Sequence, residues 1–194
     1  MGVVTAAQRG QEVRQRLLRA ATELIVERGW TAVTTRVLAQ RAGVAPGLVH
    51  YHFTSVQALL VEAVVAAARS VTARTGPLLA DAPSADEALT ALLGMFGTTS
   101  GTDPTSVLFV EAYLAATRDE RLRQALGEMI EQFRRQLADH LAAHAVPDPH
   151  ATAAVLAAAI DGVLLHRALA AGPSGDALAA VLRRLLTPGA EDAR

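Results

Sequence analysis

Apolar positions along this chain of 194 residues recur mostly at spacings of three and four. Val13, Leu17, Ala20, Ala21, Leu24 and Ile25 fall on one face of a helix expected over residues 8–28. Arg9, Arg14, Arg16 and Arg19 lie largely off that face, and Arg9 and Arg14 read as solvated. Gly29 stops the helix, and Trp30, a core candidate, starts the connection. Thr34 or Thr35 caps a short second helix that runs to Ala42 and ends at Gly43. Pro46 suits the first turn of a third helix, expected to end at His52. Leu48, Val49 and Phe53 supply its inner side, and Val44 fills the space between the two short helices. Short helix, glycine turn, short helix, with an apolar residue inside the turn, is a helix-turn-helix pattern.

Downstream, Thr54 or Ser55 caps a helix expected to reach about residue 74, with GPLLADAPS as a break. Further helices are expected from residue 85 to the stretch GTTSGTDP, from Pro104 to about Thr117, and over 120–145. The last of these carries Leu122, Leu126, Met129, Phe133 and Leu137 at helical spacing. VPDPH breaks it, and two final helices follow over 149–171 and 175–187. The sum is about nine helices and an all-α fold. It divides into a three-helix helix-turn-helix domain over residues 1–55 and a helical domain over 56–194.

Composition changes this picture in three places. Without cysteine the chain has neither disulfides nor a thiolate metal site. The net charge of −1 is uneven: residues 1–55 hold seven arginines against three glutamates, and the remainder eleven arginines against sixteen acids. A basic N-terminal part on an acidic body points one end toward an anion such as nucleic acid. The longest apolar run, 151–171, is interrupted by Asp161, His166 and Arg167, and reads as a buried or dimer-forming helix instead of a membrane span. The start, MGVVTAAQRG, lacks a signal-peptide apolar core and has Ala6 where myristoylation needs Ser or Thr. A cytoplasmic location away from the membrane is expected.

Candidate chemistry is sparse. His140 and His144 share a helix face at i, i+4, the spacing zinc proteases use. Leu141 stands where those enzymes need a glutamate, so the pair reads first as histidines at the negative end of a helix dipole. There is no glycine-rich phosphate loop after a strand and no GxSxG elbow. No catalytic residue, metal or cofactor is expected.

The stretch GWTAVTTRVLAQRAGVAPGLVHYHFTSVQALL, residues 29–60, resembles the TetR family of bacterial transcriptional regulators. The resemblance is carried by Gly29-Trp30, Thr34, Leu38-Ala39, the AGV turn, Gly47 and His52-Phe53 at fitting spacing. The chain departs from the family at three positions: Ala45 where a capping serine is common, His50 for tyrosine, and Val56 for lysine. The first and third remove phosphate contacts.

The resemblance implies that the helix from Pro46 to His52 enters the major groove of a double-stranded DNA operator. The expected DNA-binding set is Thr34, Thr35, Arg36, Ala45, Pro46, Gly47, Leu48, His50, Tyr51 and His52, with Arg41 also within reach of phosphate or guanine. His52 reads equally as a packing residue. The resemblance also implies a small-molecule effector in the C-terminal domain. Met95, Phe96, Phe109, Glu111, Tyr113, Met129 and Phe133 are the candidate pocket walls, or alternatively parts of a filled core. The segment 106–114 is apolar nearly all round and is expected to be buried, with Glu111 paired to an arginine or anchoring a ligand. The last two helices are expected to form a homodimer through Ala154, Ala158, Gly162, Leu165, Leu169, Val181 and Leu185. A ligand-released repressor is the leading expectation. An activator, or a ligand-binding protein without DNA affinity, is the alternative.

Overall fold

The computed structural model describes residues 5–97, 102–167, 169–170 and 172–187, apart from the side chains of Ala6 and Phe96. Nine α-helices form among these residues: α1 (Ala6–Arg28), α2 (Thr35–Ala42), α3 (Pro46–His52), α4 (Val56–Ala80), α5 (Ala85–Gly97), α6 (Pro104–Ala116), α7 (Glu120–Ala143), α8 (Pro149–Arg167) and α9 (Gly175–Leu182). A 3-10 turn, Trp30–Ala32, lies between α1 and α2, and another, Arg183–Leu186, follows α9. No strand occurs among the described residues, so the fold is all-α as expected. The chain packs as two compact units. One contains the described residues up to Ala68 together with Val107–Leu126; the other contains Arg69–Ser106 and the described residues from Gly127 onward. Helices α4, α6 and α7 each contribute to both.

In the first unit, α1 starts earlier than its apolar face predicts because Thr5 and Gln8 form a capping box. Thr5 Oγ1 accepts the Gln8 N–H at 3.2 Å, and Gln8 Oε1 accepts the Thr5 N–H at 2.7 Å. Leu17, Leu24 and Ile25 are fully buried, as are Leu38 of α2 and Val49 of α3. Each such side chain contributes roughly 1.5–3 kcal/mol of transfer free energy. Gly43 ends α2 at φ 64, ψ 42. The following Val44 N–H returns to Ala39 O at 3.0 Å, and α3 then starts at Pro46. Arg14 is not the solvated group the sequence suggests. Its guanidinium lies 4.9 Å from the Phe53 ring centroid and pairs with Glu62.

A hydrogen-bonded chain crosses this unit. The indole N–H of buried Trp30 donates to Gln57 Oε1 at 3.2 Å, and Gln57 Nε2 donates to Asp119 Oδ2 at 2.8 Å. Asp119 Oδ1 accepts the Leu122 N–H at 2.9 Å and so caps α7. These bonds, first that from Leu122 and then that from Gln57, hold the Asp119 carboxyl below its ordinary range. α6 corrects the expectation of all-round burial: Leu108 and Ala112 are inside, whereas Tyr113 and Leu114 are 40% and 58% exposed.

The second unit has its own core, built from Leu79, Leu89, Leu92, Leu137, Leu141, Leu156, Ile160 and Leu182. This core explains why α4 runs on to Ala80 through Gly76 and Pro77, where the sequence suggests a break after residue 74. Leu79 is 4% exposed, and its burial offsets the backbone bond that Pro77 cannot make. α8 and α9 end at Arg167 and Leu182, short of the expected 171 and 187. α4 and α8 are long and apolar enough to cross a membrane by length and composition alone. Their apolar residues include core groups here: Leu59, Leu60 and Val64 of α4, and Ala153, Leu156 and Ile160 of α8.

Two measurements check this description. A methyl group at position 43 meets no neighbour, yet it would sit on left-handed backbone. Gly43→Ala is therefore expected to cost about 1–2 kcal/mol and lower the unfolding midpoint; an unchanged midpoint would contradict the turn. Asp119 gives a pH dependence. Its folded pKa lies below the unfolded value of about 3.9, so its contribution is complete above that pH and is lost as pH falls through the folded value. Followed by Trp30 fluorescence, the midpoint of the wild type should drop more steeply between about pH 5 and pH 3 than that of Asp119→Asn. Parallel curves would contradict the capping role.

Candidate nucleic-acid interface

α2, α3 and their capping residues carry all ten positions expected to meet DNA, and none of the ten is buried. Thr34, Arg36, Ala45, Pro46, Gly47, His50 and Tyr51 are exposed; Thr35, Leu48 and His52 are half-buried. Two buried residues aim this surface. Val49 and Phe53 turn one side of α3 inward, which leaves His50 and Tyr51 outward. Tyr51 is 79% exposed, and its ring meets His52 edge-on at 5.0 Å. His52 faces α1, where its Cε1 lies 3.9 Å from the position a Cβ on Gly10 would take. At Gly47 the same construction meets nothing within 4 Å, so the lack of a side chain there serves no internal packing.

Local electrostatics separate the two arginines of α2. Arg36 is exposed and in no ion pair among the described residues. Arg41 bridges to α1, donating to Glu27 at 2.8 Å and to Glu23 at 3.2 Å. Its hydrogen bond to Glu27, then that to Glu23, raises the Arg41 pKa, and Arg41 in turn lowers that of Glu27. Arg41 is thus engaged in holding α2 to α1. Thr34 caps α2, its Oγ1 accepting the Val37 N–H at 3.4 Å. Ala45 gives α3 no side-chain cap, as its lack of a hydroxyl requires.

The other expected site residues fall into separate groups. Phe109, Glu111 and Tyr113 belong to the first compact unit, and Met95, Met129 and Phe133 to the second. The Phe96 side chain lies outside the described residues. Glu111 is in no ion pair with an arginine among the described residues; its Oε2 accepts the backbone N–H of Trp30 at 2.8 Å. Phe133 packs against the second core, and nearby on α7 the buried Gln136 Oε1 has no hydrogen-bond partner among the described residues. An open depression of about 780 Å³ along α1 is lined by charged and polar groups, Arg9, Glu12, Arg16 and Arg19 among them, and includes none of the pocket candidates.

Of the residues expected at a dimer contact, Leu165, Leu169, Val181 and Leu185 are 45%, 81%, 55% and 39% exposed. Ala158 is exposed, and Ala154 and Gly162 are half-buried. The His140 and His144 rings lie 4.3 Å apart, centroid to centroid, and their nitrogens face backbone carbonyls. Their Nε2 atoms face Ser84 O at 3.5 Å and Pro83 O at 3.2 Å, and His144 Nδ1 faces His140 O at 2.9 Å. Sequence reasoning missed Gln57 and Asp119. Asp119 precedes a helix and fits a cap, but no local pattern joins Trp30 to Gln57, 27 residues away.

Comparison with known proteins identifies the two halves. Residues 17–63 match the model for bacterial regulatory proteins of the tetR family, and residues 83–188 match a tetracyclin repressor-like C-terminal domain. The HTH-type transcriptional regulator Rv2912c of Mycobacterium tuberculosis is 30% identical over 176 residues, covering 87% of each chain. The crystal structure of the transcriptional regulator SCO7518 from Streptomyces coelicolor A3(2) superposes with a TM-score of 0.76 at 35% identity, over 91% of this chain and 99% of that one. The multidrug binding protein EbrR, solved with imidazole, superposes at 0.74 with 31% identity, over 98% of this chain and all of the other. With its helix-turn-helix surface and both family domains accounted for, the chain belongs to the TetR family of bacterial transcriptional regulators.

Proposed function

We propose that this regulator is a homodimeric, cytoplasmic repressor that binds a near-palindromic operator and leaves it when a small organic effector binds. The observation that carries the DNA-reading part is the outward face of α3: Gly47, His50 and Tyr51 are exposed while Val49 and Phe53 are buried. A helix presented this way fits the major groove, with its early residues toward base edges. Arg36 and the α2 N-terminus at Thr34 and Thr35 supply phosphate contacts. In this reading, residues 1–55 bind DNA and 56–194 bind effector and partner.

Dimerisation is supported by the exposed apolar side chains of α8 and the segment from α9 to Leu186. A two-fold pair places two α3 helices before two half-sites. The effector class is supported by likeness to EbrR, whose crystal structures hold imidazole and malachite green. Met129 and Phe133, beside the unpartnered Gln136 Oε1, are the pocket residues best suited to such a molecule. Unequal affinity of the effector for two spacings of the reading helices would shift the population off the operator. The missing cap at Ala45 favours one second reading, a ligand-binding relative with weak DNA affinity.

A gel shift on the chain's own upstream region, with shuffled competitor and varied salt, checks the reading. Selective binding should weaken with salt and vanish in His50→Ala. Arg36→Gln should reduce the salt slope by about one, and Arg41→Gln should leave it unchanged. Gly47→Ala should bind less tightly without any loss of thermal stability, because a methyl there meets nothing in the free protein. Equal binding to shuffled DNA by the wild type would favour the second reading.

A further inference from the structure

The turn that leads into the two reading helices is held by a residue far along the chain. Trp30, the only tryptophan, follows Gly29, whose φ of 79 is open to few residues other than glycine. The Trp30 backbone N–H donates to Glu111 Oε2 of α6 across 81 residues of sequence. Gly29 lies against the same carboxylate, with 3.5 Å between Glu111 Oε2 and the place a Cβ would occupy. The Trp30 ring is fixed separately, through Gln57 of α4 to Asp119 at the start of α7. Main chain and ring of one residue are therefore bound to two helices, α6 and α4, and Gln57 of α4 is in turn bonded to the cap of α7; all these residues lie in the first compact unit.

Little freedom remains between this anchor and the DNA surface. The Val33 N–H returns to Trp30 O at 3.5 Å, Val33 is buried, and Thr34 caps α2 immediately afterwards. The charged acceptor strengthens the bond to Trp30, and its partly buried setting limits competition from water. Glu111 makes no contact with α2 or α3 in this chain of bonds, and acts on them only through Trp30.

We propose that Glu111 is a positioning residue for operator reading: by holding the Gly29–Trp30 turn from α6 it sets where Thr34 and α2 stand, and hence the pose of α3 on DNA. The proposal rests on the DNA-reading function proposed above. It assigns to Glu111 a role distinct from an effector-pocket group.

The test compares full-length Glu111→Ala, Glu111→Gln and Leu89→Ala. The last is a core truncation in the second unit that lowers stability without touching the turn. Operator affinity is read well below every unfolding midpoint, together with hydrogen exchange at the Trp30 amide. Glu111→Ala should bind the operator about tenfold more weakly and exchange the Trp30 amide faster. Glu111→Gln keeps an acceptor and should recover most of both. Leu89→Ala should lose stability with its operator affinity unchanged. Wild-type affinity in Glu111→Ala overturns the proposal, as does a loss in Leu89→Ala that scales with destabilisation in the same way. Absence of selective binding by the wild type is failure of the DNA-reading function and removes the positioning role with it. Exchange at Trp30 then still reports whether the bond exists.

Discussion

Gly43 stands in the left-handed conformation that closes α2, and the direction in which α3 leaves that helix follows from it. The turn is short because Val44 N–H returns to Ala39 and Pro46 opens α3 at once. With so little chain between the helices, Leu38, Ala39 and Val49 reach the same interior, and burial of Val49 decides which residues of α3 face out. The exposed row at Gly47, His50 and Tyr51 is the surface consequence of that interior choice. Polar side chains then trim the arrangement. Arg41 spans to Glu23 and Glu27, and Arg14 lies on Phe53. Exposed pairs of the first kind contribute little stability each, so the apolar contacts dominate.

The two compact units share three helices: α4, α6 and α7 each carry residues of both. The hydrogen bonds at Trp30 add directional contacts from α6 and α4, and Gln57 of α4 extends them to Asp119, the cap of α7. Such bonds break with displacements of about an ångström, because hydrogen-bond strength falls steeply beyond ordinary distance and angle. Apolar packing in the two cores tolerates no such sharp change and supplies rigidity instead.

How much was legible in the sequence follows from the range of each interaction. The helix-turn-helix was readable because its signals are local: Thr34, Gly43 and Pro46 act within a turn of where they stand. The inner face of α1 was readable from periodicity, its start was not, since the Thr5–Gln8 box lies outside the apolar pattern. Pro77 misled because a local breaker was overridden by burial of Leu79 in a core assembled from four other helices. The uniform apolarity of α6 gave no clue to which side stays exposed, and Tyr113 and Leu114 proved to be on it. Glu111 announced itself as an oddity in an apolar helix, yet its partner is a backbone N–H that no sequence pattern marks. The DNA-facing residues remain expectations drawn from placement on α2 and α3.

The central claim is that α3 reads sequence as one of a symmetric pair. The most direct test is selection of duplexes from a random pool by the purified, full-length protein, followed by sequencing of what is retained. A symmetric pair of α3 helices enriches an inverted repeat whose half-sites are separated by about one helical turn or a multiple of it. Retention of DNA without any enriched sequence, or enrichment of a single unpaired half-site by a monomer, would contradict that claim.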